Sequence, residues 1–235
     1  VAVHHHAQRD AVDAGADAAV VQRRARVDRH HVRLRRVADA VGAVVVEQAL
    51  VNVRTFQRHG IAATGKHWPG EGFDDRDQHL VTTINPLSMD DWRARFGRIY
   101  KTLIDAGVMT VMSAHIALPA YAKQHGASGL ELYRPASVSK FLNIDLLRGE
   151  LGFNGLIVSD ASAMAGLSSW ASRAECVPEL IANGCDVLLF PSPFETDFAN
   201  VMKALSDGRI TEARLEDAVT RVLALKAALG LHRKT

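Results

Sequence analysis

The sequence from residue 47 onward predicts an α/β fold with a parallel sheet, and a (β/α)8 TIM-type barrel is its favoured form. Short apolar segments alternate with amphipathic ones in the order strand, loop, helix, which is typical of parallel architecture. Two segments, VMTVMSAH (108–115) and GLIVSD (155–160), are nearly continuous apolar runs, as expected of strands covered on both faces. No glycine-rich phosphate loop follows a strand, which disfavours an open nucleotide-binding sheet.

The predicted elements alternate along the chain. In order they are a helix (47–60), the strand IAATG (61–65), a helix that starts at Ser88, the strand 108–115, a helix (137–151), the strand 155–160, a short helix (178–183), the strand DVLLF (186–190), and the closing helices FETDFANVMKAL and TEARLEDAVTRVLALKAAL. Ser88 and Thr211 are the predicted N-caps of two of these helices.

Ionisable or polar side chains end three successive predicted strands. They are Lys66 and His67, Ser113 and His115, and Ser159 and Asp160. Active sites of barrels are built at the rim formed by such strand ends. The sequence therefore predicts a site at this rim, in a barrel that is incomplete on its N-terminal side.

Residues 1–46 differ in texture from the rest of the chain. They comprise only Ala, Val, Arg, Asp, His, Gly, Gln and a single Leu. Such a reduced alphabet is typical of a GC-rich gene read in a wrong frame, and an Ala-rich helical extension is the alternative. We therefore predict two parts, an atypical segment (1–46) that is misread or non-native and a barrel domain (47–235).

Composition excludes several classes of protein. The 235 residues include 28 Lys and Arg against 26 Asp and Glu, without the concentrated basic face that nucleic acid requires. No stretch approaches the roughly 18–20 apolar residues that span a bilayer. Cys176 and Cys185 fit neither a zinc site nor a disulfide framework. We expect a cytoplasmic protein that binds neither nucleic acid nor membrane, needs no cofactor and holds no metal.

The segment KHWPGEGFDDRDQH (66–79) concentrates titratable groups beside two glycines and a proline. Within it, Asp77 and His79 lie two residues apart, and a carboxylate bonded to an imidazole is a usable proton shuttle near neutral pH. Asp160 ends an apolar strand and is either a helix N-cap or a carboxylate that faces the barrel mouth. Together these residues form a candidate set of acid/base and nucleophile.

The same segment resembles the KHFPGHG…DSH signature of glycoside hydrolase family 3, most closely the branch of bacterial β-N-acetylglucosaminidases. LRGELGFNGLIVSDASAMAGL resembles the nucleophile segment of that family, and GCDVLLF resembles its last barrel strand. The resemblance covers about residues 48–232 in the right order. It departs from the family at Glu71, which replaces a histidine, and at Trp68, which replaces a phenylalanine. In the family, the early barrel strands carry a substrate-binding aspartate, and an arginine-containing loop precedes the helix before the KH motif. Neither feature is found in residues 1–46.

The resemblance implies a catalytic role for three residues. Asp160 matches the nucleophile that attacks the anomeric carbon, and His79, paired with Asp77, matches the general acid/base. The implied reaction is retaining hydrolysis of β-linked N-acetylglucosamine, or a related β-hexose, from β-glycosides or from amino sugars of cell wall or chitin.

Four further residues are expected to contact the substrate. Lys66 and His67 match the family pair that hydrogen-bonds sugar hydroxyls. Met164 matches the SD…M pattern, and a core methionine is the alternative. His115 is expected to line the site, and a histidine satisfied at the end of a strand is the alternative. Three rival functions stay open: an inactive or sugar-binding barrel fragment, a β-N-acetylglucosaminide phosphorylase, and a metal hydrolase that uses His67, Asp77, His79 and His115.

Overall fold

The computed structural model describes residues 42–233. The larger compact unit of the chain begins at Val46. The atypical segment predicted over 1–46 therefore lies, up to residue 41, outside the described residues. The division of the chain after residue 46 stays a prediction.

Five short strands form two parallel sheets within the described residues. In chain order they are β1 (Thr64–Trp68), β2 (Thr83–Ile84), β3 (Thr110–Ser113), β4 (Ile116–Ala117) and β5 (Leu156–Ser159). The larger sheet has the order β1-β3-β5, and β2 pairs with β4 in a smaller one. In the larger sheet Val111 pairs with Gly65 on one side and with Ile157 on the other. The predicted α/β class with parallel strands is confirmed.

Eight helices accompany these strands in the part of the chain that the structure describes. They are α1 (42–58), α2 (Met89–Trp92, continuing through the π-helical Arg93–Gly97 into Arg98–Asp105), α3 (Pro119–Gln124), the π-helical α4 (Phe141–Glu150), α5 (Ala165–Ser168), α6 (Arg173–Ala182), α7 (Phe194–Ser206) and α8 (Glu212–Ala228). Short 3-10 turns lie at Gly129–Tyr133, Ala136–Val138 and Leu231–Arg233. A bilayer-spanning helix is not found among residues 42–233, since none combines sufficient length with sufficient apolar character.

Helix α2 starts where the sequence predicts. The hydroxyl of Ser88 accepts a hydrogen bond (3.1 Å) from the backbone N–H three residues on and caps the helix. The buried face of α2 presents Trp92 and Tyr100 to Trp68 of β1, in edge-to-face contacts with ring centroids 5.6 and 4.8 Å apart. The Trp92 indole also donates to the carbonyl oxygen of Pro69 (2.8 Å). This packing fixes the end of β1 and the start of the following loop.

The first strand lies later in the chain than predicted. The apolar segment 61–65 is predicted as the strand, whereas β1 runs over Thr64–Trp68. Ile61 is more than half exposed, and pairing with β3 begins only at the first residue of the observed strand. Strand limits are thus set by the pairing partner rather than by apolar character alone. As a result, Lys66 and His67 lie inside β1.

Helix α6 begins earlier than the predicted helix 178–183. Ser172 and Glu175 form a capping box at its start. Pro178 then lies within the helix, where it removes one N–H donor. The capping box, which lies upstream of Pro178, determines where the helix starts. Pro178 is therefore an interior residue of α6 and not its first residue.

The segment predicted as the strand 186–190 runs alongside β5 but pairs with it irregularly. Val187 forms a single parallel bridge with Val158. The N–H of Leu189 donates to the hydroxyl of Ser159 (3.0 Å) rather than to a backbone oxygen. A side chain replaces a ladder bond here, so the prediction of a regular strand is corrected to a single bridge.

The carboxylate of Asp186 connects three elements. Its side chain is fully buried, and it accepts hydrogen bonds from Arg148 of α4 (2.7 Å), from Arg214 of α8 (2.6 Å) and from the N–H of Ile157 (2.7 Å). A buried carboxylate is tolerated only when its charge and its lone pairs are compensated in this way. Asp186 therefore holds α4 and α8 against β5.

Replacing Asp186 with asparagine is expected to lower the free energy of unfolding by roughly 3 kcal/mol, because the largely buried guanidinium of Arg148 loses its ion-pair partner and Arg214 keeps only Asp217. Urea denaturation followed by circular dichroism measures this loss. The matched control is Asp217→Asn, whose half-exposed carboxylate pairs with Arg214 and Arg221 and should cost less than about 1 kcal/mol. Equal losses in the two variants would contradict the assignment of Asp186 as the main connection.

Candidate active site

The carboxyl ends of the three strands of the larger sheet meet at one edge. Backbone hydrogen bonds align them, from the N–H of Ala114 to the oxygen of Trp68 (3.0 Å) and from the N–H of Asp160 to the oxygen of Ser113 (2.8 Å). The segments that follow β1, β3 and β5 are thereby brought side by side. The candidate residues of the 66–79 segment and Asp160 lie at this edge.

Asp160 has one engaged and one free carboxylate oxygen. Oδ1 accepts a hydrogen bond from the N–H of Ala161 (2.8 Å), whereas Oδ2 is buried and has no hydrogen-bond partner among residues 42–233. The Nε2 atom of His67 lies 3.9 Å from Oδ2, beyond hydrogen-bonding distance. The N-cap of α5 is Met164, so the alternative interpretation of Asp160 as a helix cap is wrong. An oriented carboxylate with a free oxygen is suited to nucleophilic attack.

Asp77 and His79 are hydrogen-bonded to each other. The Nδ1 atom of His79 lies 2.7 Å from Oδ1 of Asp77, and the same oxygen accepts the backbone N–H of His79 (2.8 Å). Both side chains are more than half exposed. The hydrogen bond to Asp77 raises the pKa of His79, and the negative charges of Asp160 and Glu71 act in the same direction. The raised pKa favours the protonated imidazole, which is the form that a general acid needs.

Backbone bonds anchor the turn of residues 77–79 to α5. The N–H of Ala165 donates to the oxygen of His79 (3.0 Å), and the N–H of Gly166 donates to the oxygen of Gln78 (3.1 Å). Only glycine permits this approach, since a Cβ at position 166 would lie 2.4 Å from that oxygen of Gln78. The contact holds the turn beside the loop that follows β5.

Gly166→Ala is therefore expected to push the turn off α5 and to lower the free energy of unfolding by about 1–3 kcal/mol, as overpacking does. The loss is measured by urea denaturation. The matched control is Gly149→Ala within α4, where an added Cβ would meet its nearest atom, Ile144 O, at 3.4 Å. There the better helix propensity of alanine should leave stability unchanged or raise it. A Gly166→Ala protein as stable as the wild type would show that the turn does not rest on α5.

His115 is buried rather than exposed at the edge. Its Nδ1 lies 2.8 Å from the hydroxyl oxygen of Ser137, and its Nε2 lies 3.1 Å from the carbonyl oxygen of Ala161. Burial lowers the pKa of His115 and favours the neutral ring. Because a carbonyl oxygen only accepts, Nε2 carries the proton. These contacts favour the alternative, a histidine satisfied at the end of a strand and here bonded to the loop after Asp160. That His115 lines a sugar site stays a prediction.

The other predicted contact residues differ in exposure. Lys66 is exposed on β1, and the side chain of His67 is 24% exposed. Met164 is buried, with 6% of its surface accessible. Lys66 and His67 thus have solvent-accessible surface, whereas Met164 is buried.

Two residues of the site, Glu71 and Gln78, were not predicted as functional from the sequence. Glu71 is only a replacement in a motif, and Gln78 is only the spacer between Asp77 and His79. In the structure the side-chain amide of Gln78 donates to Glu71 Oε1 (3.1 Å), and only 3% of the surface of Gln78 is exposed. Their contact spans an irregular loop, which leaves no periodic signal in the sequence.

The ion pair of Arg173 and Asp197 is bonded to the loop after Asp160. Arg173 donates to Asp197 (2.5 Å) and to the backbone oxygen of Ser162 (3.0 Å), and the hydroxyl of Ser162 donates to the oxygen of Phe190 (2.8 Å). Burial alone would raise the pKa of Asp197, but hydrogen bonds from Arg173 and from a backbone N–H outweigh burial and lower it. Asp197 therefore stays ionised and keeps its hold on Arg173.

The histidines and carboxylates of this edge are also the candidate metal ligands. Among the side chains described in 42–233, no group of three or more His, Cys, Asp or Glu residues could hold a metal ion. The alternative of a metal hydrolase built on His67, Asp77, His79 and His115 gains no support from the positions of these donors.

Comparison with known proteins identifies a family. Residues 25–225 match the family model described as "Glycosyl hydrolase family 3 N terminal domain". A β-N-acetylglucosaminidase/β-glucosidase of Cellulomonas fimi is 46% identical over 202 residues, which cover 85% of this chain and 36% of that protein.

Two solved structures are also similar. A β-glucoside phosphorylase is 40% identical with a TM-score of 0.78, covering 81% of this chain and 34% of that one. A family 3 β-N-acetylglucosaminidase from Paenibacillus sp. str. FPU-7 is 30% identical with a TM-score of 0.70, covering 78% of this chain and 34% of that one. The chain thus spans about a third of the length of these relatives.

Proposed function

This chain belongs to glycoside hydrolase family 3, and on that basis we propose that it is a retaining glycoside hydrolase that removes β-linked N-acetylglucosamine or a related β-hexose. The proposed substrates are β-glycosides and amino sugars derived from cell wall or chitin. The described strands and helices are proposed to form the C-terminal part of a (β/α)8 barrel. The proposal rests on one observation: Asp160 has an unpartnered carboxylate oxygen at the strand edge, and the turn that carries the hydrogen-bonded pair of Asp77 and His79 is bonded to α5, which follows Asp160 in the chain.

In the first step, Oδ2 of Asp160 attacks the anomeric carbon. The bond from this carbon to the glycosidic oxygen breaks, and a glycosyl ester forms on Asp160. Protonated His79 gives its Nε2 proton to the leaving oxygen, while Asp77 holds the Nδ1–H. The aglycone leaves as a neutral alcohol.

In the second step, the neutral imidazole of His79 takes a proton from water as the water oxygen attacks the anomeric carbon. The ester bond breaks, and the carboxylate of Asp160 and the protonated imidazole are both restored. Two inversions at the anomeric carbon leave the product in the β configuration.

Lys66 and His67 are proposed to bind sugar hydroxyls. Lys66 is exposed, and Nε2 of His67 faces the free oxygen of Asp160 across 3.9 Å. A hydroxyl group of the sugar held by these two residues would place the anomeric carbon next to Asp160. His115 has a supporting role in this proposal because both of its ring nitrogens are already hydrogen-bonded within the protein.

The proposal is tested with the full chain and 4-nitrophenyl β-N-acetylglucosaminide, using proton NMR to identify the first anomer released. A β product supports retention. An α product, or a folded protein that binds the sugar without turnover, would overturn the proposed reaction, and the second result would favour a sugar-binding fragment.

Phosphorolysis is the second candidate, proposed because one similar protein, at 40% identity, is a β-glucoside phosphorylase. An imidazole in place of a second carboxylate lowers the negative charge that an incoming anion meets. Phosphate would then replace water in the second step. Phosphorus NMR of reactions with inorganic phosphate distinguishes the two, because only phosphorolysis yields a glycosyl phosphate.

Asp77→Asn is expected to move the alkaline limb of kcat/KM to lower pH. The first step needs protonated His79, so activity falls as the pH rises through its pKa, which Asp77 raises. Without that carboxylate the pKa should fall toward the ordinary value of about 6.5. Profiles of kcat/KM against pH measure the shift, with the exposed Asp75→Asn as a control that should leave the limb in place. An unmoved limb in Asp77→Asn would exclude His79 as the acid.

A further inference from the structure

The two carboxylate oxygens of Glu71 are engaged by different parts of the site. Oε2 lies 2.8 Å from Nδ1 of His67 in β1, and Oε1 accepts a hydrogen bond from the side-chain amide of Gln78 (3.1 Å). His67 lies on the strand proposed to bind sugar, and Gln78 lies in the turn that carries His79. A single carboxylate therefore joins the two.

The side-chain oxygen of Gln78 connects, through His115, to the loop that follows Asp160. Its Oε1 accepts the backbone N–H of His115 (3.2 Å), and the ring of His115 donates to the oxygen of Ala161 (3.1 Å). The N–H of Ala161 in turn donates to Asp160 (2.8 Å). Because a backbone N–H only donates, Gln78 must present its oxygen to His115 and its amide to Glu71. The buried amide thus has one orientation.

The contact with Glu71 also sets the tautomer of His67. A carboxylate accepts, so Nδ1 of His67 is the nitrogen that carries the proton. Nε2 is then left facing Oδ2 of Asp160 at 3.9 Å. In the neutral ring, Nε2 has a lone pair directed toward the space beside Asp160. This lone pair can accept a hydrogen bond from a sugar hydroxyl.

We propose that Glu71 is a positioning residue that holds His67 as the Nδ1–H tautomer and, through Gln78, joins this ring to the turn that carries His79. The role for the sugar rests on the proposed function, whereas the tautomer does not. Glu71 acts through His67, so its removal should weaken the hold on the sugar without removing proton transfer.

The first test is independent of activity. Two-bond proton–nitrogen NMR of the full chain at alkaline pH reports which imidazole nitrogen is protonated, and the His67 signal is assigned with His67→Gln. Wild type should show Nδ1–H, and Glu71→Ala should shift His67 to the Nε2–H form. Glu71→Gln retains only one acceptor oxygen for two donors and should shift it in part. Asp75→Ala removes an exposed carboxylate of the same loop and should change nothing.

The second test is kinetic and uses aryl glycosides with good and poor leaving groups. Glu71→Ala should lower kcat/KM by about 10- to 100-fold, the loss expected for a hydrogen bond to a charged group. At a pH below the alkaline limb the loss should be equal for both leaving groups, because His79 is protonated there and keeps its hydrogen bond to Asp77. A loss confined to the poor leaving group would overturn the proposal.

The two tests separate the positioning role from the proposed function. An unchanged His67 tautomer in Glu71→Ala would overturn the positioning role, whatever the enzyme activity. If the wild type has no glycosidase activity but Glu71→Ala still changes the His67 tautomer, the positioning role stands and the proposed function is rejected. Glu71 is 44% exposed, so both variants are expected to fold, and Glu71→Gln repeats the test if the alanine protein does not.

Discussion

Asp160→Ala is expected to lower kcat for β-glycoside hydrolysis by about 10⁴-fold or more, the scale seen when a covalent nucleophile is removed. The substitution removes the free Oδ2, so no glycosyl ester can form. The neighbouring backbone bond, from the N–H of Asp160 to the oxygen of Ser113, does not depend on the side chain. The fold should therefore persist, which circular dichroism and urea denaturation verify.

A small anion provides the control for the Asp160 prediction. Azide can enter the space left in Asp160→Gly and attack the anomeric carbon from the face that the carboxylate used. With an activated aryl glycoside, the expected product is the α-glycosyl azide, identified by NMR. Retained wild-type turnover in Asp160→Ala, or a β-glycosyl azide from Asp160→Gly, would contradict its assignment as the nucleophile.

His79→Ala is expected to lower kcat/KM by about 10²- to 10⁴-fold for a glycoside with a poor leaving group, which is the usual contribution of a general acid. The reason is that the leaving oxygen then departs as an unprotonated alkoxide. An aryl glycoside with a highly acidic leaving group needs no proton and should lose much less in the first step. Steady-state kinetics over a series of leaving groups measures the difference.

A steep dependence on leaving-group acidity in His79→Ala, absent from the wild type, supports the acid role. His59→Ala is the matched control, since His59 is an exposed imidazole that follows α1 at the opposite end of β1. It should not alter the dependence. If His79→Ala slowed all leaving groups to the same extent in their first step, His79 would bind substrate rather than protonate it.

The parallel α/β class and several helix boundaries could be predicted because their causes are local. Ser88 and Thr211 each accept a backbone N–H at the start of a helix, as their positions in the sequence indicate. The continuous apolar runs at 108–115 and 155–160 likewise contain β3 and β5. Strand limits were less predictable: β1 begins at Thr64 rather than Ile61 because its partner strand decides where pairing starts.

The candidate site could be predicted only in part, for a similar reason. Motif positions identified Asp160, Asp77 and His79, whose catalytic roles stay predictions. The burial of His115 depends on Ser137 and Ala161, which are distant in sequence. Such long-range contacts leave no trace in spacing. Sequence patterns therefore indicated which groups are chemically suited to the site, whereas the contacts decide which of them a ligand can reach.

The cluster of Trp68, Trp92 and Tyr100 gives the molecule an intrinsic fluorescent reporter. The cluster encloses two of the three tryptophans of the chain, Trp68 and Trp92. Trp68 directly follows His67 on the same strand. Indole emission is sensitive to the polarity around the ring, so it records the condition of this strand without an attached dye. Sugar occupancy and unfolding can thus be followed optically in unlabelled protein.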